Sequence, residues 1–137
     1  MHRCSTLVIC CIDFRFQEFI RSFLNKEVAG DYDLVSVAGS SKNFAMKKEQ
    51  EFLIKQLEIS LKLHNIDKVY LINHQDCGAY GDEDISDSNE ELERHLLDLK
   101  ESRMIISNLF PQLKEIKLFF IKFPEFDIKK AVVEQIG

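Results

Sequence analysis

Two kinds of hydrophobic pattern alternate along this chain. Residues 6–12 (TLVICCI) form a nearly unbroken apolar run, the pattern of a strand covered on both faces. Residues 16–27 then change period: Phe16, Phe19, Ile20, Phe23 and Leu24 fall on one helical stripe. A second strand is predicted over 33–38 (DLVSVA), closed by Gly39. The spacing of Met46, Leu53, Leu57 and Leu61 predicts a long amphipathic helix over 43–64. The third strand is expected at 68–73 (KVYLIN), followed by an acidic polar loop at 81–89. Ser88 and Glu91 have the spacing of a capping box for a helix that ends before Pro111. Residues 116–123 (IKLFFIKF) read as a fourth strand, and KKAVVEQI after Pro124 fits either an edge strand or a closing helix.

Strands alternating with helices predict an α/β fold in three layers, αβα, with a mostly parallel sheet of four to five strands and right-handed crossovers. In such sheets, sites form beyond the carboxyl ends of the strands, where the winding direction reverses. The chain has 137 residues, 45% of them hydrophobic, with two Pro, five Gly and no internal repeat, which reads as a single domain over 1–137. A chain of this size can bury a core without disulfide staples, so its cysteines need another explanation.

Charge and targeting narrow the setting. A net charge of −5 speaks against a nucleic-acid partner, and Lys47 with Lys48 reads as solvated helix surface. The run at 6–12 is too short to span a bilayer and lacks a small-residue cleavage site, so no membrane association and a cytoplasmic location are expected. In that reducing compartment Cys4, Cys10, Cys11 and Cys77 are expected as thiols or metal ligands.

The candidate chemistry lies at two predicted strand ends. CCIDFRF puts Cys11, Asp13 and Arg15 at period two, starting on one side of the first strand, with Cys10 an ordinary buried thiol on the other. LINHQDCGAY puts His74 and Cys77 just past the third strand. Should the first and third strands be neighbours, all five side chains meet in one crevice. Two sulfurs and a nitrogen suit zinc, and three protein ligands leave a fourth position for catalysis. Arg15 can hold Asp13 in a bidentate pair, which frees that fourth position for water; without that hold, Asp13 becomes a possible fourth ligand that shuts the site. Either pair of residues alone is a common accident; together at two strand ends they are more specific.

Cys11-Ile12-Asp13-Phe14-Arg15 and His74-Gln75-Asp76-Cys77-Gly78 resemble the two motifs of the β-class carbonic anhydrases, and Ala38-Gly39 resembles that family's loop after the second strand. The resemblance implies strand order 2-1-3-4, a Zn2+ cofactor held by Cys11, His74 and Cys77, and Asp13 with Arg15 as the catalytic dyad. It implies reversible hydration of carbon dioxide to bicarbonate by zinc-bound hydroxide, and a homodimer or higher homo-oligomer. The chain departs from the family at Phe14, Ser36 and Val37, where the family commonly carries polar side chains. Two further expectations therefore stand beside hydration. One is a zinc hydrolase of another small electrophile, of carbon disulfide or carbonyl sulfide type, in a less polar pocket lined by Phe14 and Val37. The other is a non-catalytic zinc protein closed by Asp13.

Other residues read more plainly. His64 is expected at a helix end and His95 in a charged helix, in ordinary structural roles. Asp82, Asp84, Ser86 and Ser88 alternate like a calcium loop, but the sixth position is Asp87 where an EF-hand needs Gly. Tyr80 and Asn43 are candidates for lining the pocket, and Gly78 for a tight turn behind Cys77.

Overall fold

A computed structural model describes residues 2–81 and 88–137; the calcium-like alternation at 82–87 lies outside the described residues. Five strands form one sheet: β1 (Thr6–Cys10), β2 (Tyr32–Ser36), β3 (Lys68–His74), β4 (Glu115–Lys122) and β5 (Val132–Ile136), in the order β2-β1-β3-β4-β5. The first four are mutually parallel, and β5 runs antiparallel beside β4, so the tail is an edge strand.

The strand alternation sorts the core into two halves. Val8, Cys10, Tyr70, Ile72, Phe119 and Ile121 face one way and pack on Ile20 and Leu24 of α1 (Gln17–Glu27). Leu7, Ile9, Val69, Leu71 and Leu118 face the other way, onto Leu53 and Leu57 of α2 (Lys47–His64) and Leu99 and Ile106 of α3 (Ser88–Leu109). Because successive side chains on a strand point to opposite faces, runs such as Leu7-Val8-Ile9 must be apolar throughout when both faces are covered. That gives the expected three layers.

Two boundaries near the site differ from expectation, each for a local reason. The first strand ends at Cys10, because Asp13 accepts a hydrogen bond from the Arg15 amide (3.0 Å) and starts a 3₁₀ turn over Phe14–Phe16. Asp13 and Arg15 are therefore brought together by a turn, not by strand alternation. The helix expected over 43–64 divides into a 3₁₀ segment, Ser40–Ala45, and α2, with extended backbone at Met46. The Asn43 side chain donates to the carbonyls of Ala38 (2.8 Å) and Ser40 (2.9 Å), a local alternative to helical bonding. Beyond its place in the first turn of α3, the Glu91 carboxylate accepts from the amides of Asp76 and Cys77, both at 3.0 Å.

Leu71 has no exposed surface and sits in the half-core between β3 and the two helices. Leu71→Ala is expected to cost about 2–5 kcal/mol. Urea unfolding should show a lower midpoint with an unchanged slope; a loss of stability below about 1 kcal/mol would contradict this packing.

Candidate metal centre

From β1 the chain crosses to β2 on one side, and from β3 to β4 on the other, so the carboxyl ends of β1 and β3 flank the reversal of winding. Cys11 stands just past β1, His74 is the last residue of β3, and Cys77 follows three residues later. The two sulfurs and a ring nitrogen of His74 all lie within 4.8 Å of one another. All three residues are buried.

Their donor chemistry suits a cation. The His74 Nδ1–H donates to the Gln75 carbonyl (2.7 Å), which leaves the lone pair on Nε2. That Nε2 is buried and has no hydrogen-bond partner among the described residues. Phe16 packs against the imidazole with ring centroids 4.3 Å apart and fixes its plane. The sulfurs of Cys11 and Cys77 are 3.8 Å apart. Two thiolates about 2.3 Å from one tetrahedral zinc ion would stand about 3.8 Å apart, so the pair fits without rearrangement. The two thiols are within hydrogen-bonding distance of each other, and this shifts them in opposite directions. The hydrogen bond from Cys77 pulls the Cys11 thiol down to about 4, and burial opposes it less strongly. The same interaction pushes Cys77 far up, and burial adds to it. The Gly39 amide also donates to the Cys11 sulfur at 3.5 Å.

Asp13 is clamped. The Arg15 Nε lies 3.1 and 3.2 Å from its two oxygens, and Nη2 lies 2.6 Å from Oδ2. These bonds hold the Asp13 carboxyl below the usual range although burial works against them, and they push the guanidinium correspondingly up. Arg15 is itself held from the far side by Asp76, through Oδ2 (3.0 Å) and the backbone carbonyl (2.8 Å). Asp13 Oδ2 comes to 3.8 Å from His74 Nε2, yet Asp13 stands outside the tight trio. A cleft of about 640 Å³ opens beside these groups, lined by Cys11, Ile12, Asp13, Phe14, Arg15 and, across from them, Ala38, Asp76, Gly78 and Ala79.

Several sequence expectations land elsewhere. Tyr80 does not line the cleft: it is buried, its hydroxyl donating to Asp98 at 2.5 Å. Asn43 and Val37 border a separate hollow with Phe52 and Leu53, because the chain turns away at Gly39. Ser36 does contribute polarity, donating to the Cys11 carbonyl at 3.3 Å. Gly78 carries no constraint, since a Cβ there would meet nothing; the left-handed backbone behind Cys77 belongs to Asp76, at φ 55°. The glycine that geometry requires is Gly39, at φ 84°, where a Cβ would come 3.0 Å from that of Ala79. Cys10 is the inert thiol expected, with burial raising it to about 11.

Two residues escaped the sequence reading. Asp76 sits between the motif residues as the brace of Arg15. Glu91 gathers the amides of Asp76 and Cys77 and meets His95 Nε2 at 3.3 Å. Burial keeps His95 low despite that carboxylate, and its Nδ1 accepts from Asn73 at 2.8 Å. His95 is thus fully buried in a polar chain, not part of a charged surface. The i,i+4 spacing of Glu91 and His95 was the one sequence signal that could have pointed to it.

The fold is that of the β-carbonic anhydrases. A carbonic anhydrase from Streptococcus mutans superposes with a TM-score of 0.67 at 17% identity, covering 99% of this chain and 83% of that one. Tetrameric β-carbonic anhydrases from Sordaria macrospora superpose with a TM-score of 0.60 at 13% identity, covering 100% and 82%. An uncharacterized protein of Rickettsia bellii is 33% identical over 122 residues, 83% of this chain and 74% of its own length. The family model described as "Putative carbonic anhydrase" matches residues 1–132, and the chain belongs to that family.

Glu91→Ala should weaken zinc binding about 10- to 100-fold, because the loop carrying Cys77 loses the acceptor for two of its amides. Glu91→Gln, which keeps one acceptor oxygen, should fall between. Competition titration against a chromophoric chelator measures both; wild-type affinity in Glu91→Ala would remove the carboxylate from the site.

Proposed function

We propose that this chain is a zinc-dependent carbonic anhydrase of the β class, hydrating carbon dioxide reversibly to bicarbonate and a proton. Cys11, His74 and Cys77 would hold the zinc, and Asp13 with Arg15 would form the catalytic dyad. The observation that carries this reading is the clamp. Asp13, the candidate for closing the site, has both carboxylate oxygens on Arg15 and lies outside the Cys-His-Cys trio.

Zinc in such a site supplies a Lewis acid that makes water a nucleophile near neutral pH. The remaining steps belong to the chain's own residues. The Cys11 and Cys77 thiolates together balance the charge of a dication, which softens its pull and moves activity toward alkaline pH. Asp13 is held ionised by Arg15, so it accepts a hydrogen bond and orients the nucleophile; its lowered pKa makes it a poor store for a proton. Asp76 fixes the other edge of the guanidinium, so the clamp does not depend on Asp13 alone. Ile12, Ala38 and Ala79 give the cleft an apolar lining suited to a small uncharged substrate.

The second enzymatic reading, attack on carbon disulfide or carbonyl sulfide, draws support from Phe14, which borders the same cleft and is 86% exposed. Val37 no longer supports it. The chain is taken to act as a single domain in the cytoplasm, and to assemble as a dimer or larger oligomer. The tetrameric state stated for the Sordaria macrospora enzymes supports the last point.

Stopped-flow hydration by the zinc-loaded full chain tests the proposal. The rate should exceed buffer and climb with pH on the alkaline side. Asp13→Ala should keep its zinc while losing about 100-fold in rate. A fully zinc-loaded chain with no rate above buffer sinks the hydration reading, and turnover confined to the sulfur analogues establishes the second one.

A further inference from the structure

The opposite end of the sheet gathers a second set of metal-binding side chains. Cys4 lies two residues before β1, Asp33 is on β2 opposite Leu7, and His64 is the last residue of α2. Seven residues of extended chain separate Cys4 from Cys11, so this cluster is roughly 20 Å from the first. The Cys4 sulfur, an Asp33 carboxylate oxygen and a His64 ring nitrogen all lie within 4.8 Å of one another. The backbone is tied here as well, since the Cys4 amide donates to the His64 carbonyl at 3.3 Å. The His2 ring meets that of His64 edge-on, with centroids 4.8 Å apart.

We propose that Cys4, Asp33 and His64 form a second zinc site, with His2 the side chain placed to complete it. A thiolate, a carboxylate and an imidazole form a donor set that zinc takes readily. One thiolate and one carboxylate also balance a dication, the same charge arithmetic as at Cys11 and Cys77. Access is open: the Asp33 and His64 side chains are 28% and 26% exposed, and a hollow of about 210 Å³ is bordered by Leu7, Asp33, Ser60 and His64. On binding, the Cys4 thiol releases its proton to solvent. His64 moves its hydrogen from Nδ1 to Nε2 and offers the freed lone pair to the metal.

The rival reading is a hydrogen-bonded latch without metal. Asp33 Oδ2 accepts from Ser60 Oγ (2.6 Å) and pairs with His64 Nδ1 (2.7 Å), which fastens the end of α2 to β2. That latch accounts for Asp33 and His64, while Cys4, whose thiol donates to the Thr6 carbonyl at 3.7 Å and packs against the core, stands outside its bonds. Nor is Cys4 poised as a nucleophile, because burial and then the Asp33 charge keep its thiol raised. Cys4→Ala therefore separates the two readings, since it removes a ligand and leaves the latch bonds in place.

The measurement is metal stoichiometry on the full chain in chelator-buffered zinc, with cobalt as the optical probe. The wild type should take up two ions per chain, and Cys4→Ala and Cys11→Ala one each. In cobalt, Cys4→Ala should lose part of the thiolate-to-metal charge-transfer intensity and keep the rest. One ion per chain, unchanged by Cys4→Ala and abolished by Cys11→Ala, overturns the second site. One ion lost in Cys4→Ala and kept in Cys11→Ala upholds it and removes the first site instead. The wild-type cobalt titration needs no variant to fold: saturation at two equivalents supports the proposal, and saturation at one upholds or overturns it according to which of the two variants loses the ion.

Discussion

Everything at the candidate metal centre depends on two sulfurs held 3.8 Å apart in a buried place. Two thiolates at that distance repel each other strongly when water is excluded, so the pair must carry something positive between them. The hydrogen bond between them drives the Cys11 thiol down and the Cys77 thiol up. His74 Nε2 is also without a hydrogen-bond partner among the described residues, at a cost of about 1–3 kcal/mol for a buried polar atom. A tetrahedral dication answers both demands at once. The fold supplies the pressure, because adjacent strands bring Cys11 and His74 to the same edge and the Cys77 loop has nowhere else to go.

That loop is braced from two directions. Glu91 on α3 collects the amides of Asp76 and Cys77, and Asp76 turns its own carboxylate onto Arg15. The Cys77 loop and the Asp13–Arg15 pair are therefore mechanically one unit. Asp76 adopts a left-handed backbone to do both jobs, a conformation that Asp tolerates better than most residues. The guanidinium, shared by Asp13 and Asp76, has a fixed planar fork held in place by Asp76, so moving Asp13 toward the sulfurs would break its charge-assisted bonds to Nε and Nη2. A Lys at position 15 would lack that fork and hold Asp13 less firmly.

Much of this is legible in the sequence. The unbroken apolar run at β1 requires cover on both faces, and Leu7 and Val8 do point into opposite half-cores. The two motifs marked the ends of neighbouring strands because only there can residues 11 and 74 meet. What escaped was everything set by bonds between distant parts of the chain. Glu91 has the look of a helix cap, and only the fold reveals that α3 passes close enough for it to hold the Cys77 loop. Gly78 was read as the special glycine because it follows Cys77, whereas the constraint falls on Gly39, where backbone passes against Ala79. His95 was read from its charged neighbours along the chain, although it faces inward toward Asn73 and Tyr80. Local pattern reports which face of an element is buried; it does not report what lies against that face.

The departures from the usual family pattern also look different in three dimensions. Ser36 and Val37 are adjacent in sequence but part company at the end of β2. Ser36 turns its hydroxyl to the Cys11 carbonyl, while Val37 packs against the core and borders another hollow. Neither leaves a greasy wall over the dyad. Phe14 alone does that, standing almost fully exposed on the 3₁₀ turn that carries Arg15. An aromatic ring of that size left in water costs about 1.5–3 kcal/mol of burial not realised, a cost that cover from another surface would remove. The same turn fixes the dyad, so anything that packs on Phe14 also bears on Arg15. The chemistry of the cleft is thereby tied to whatever covers its rim.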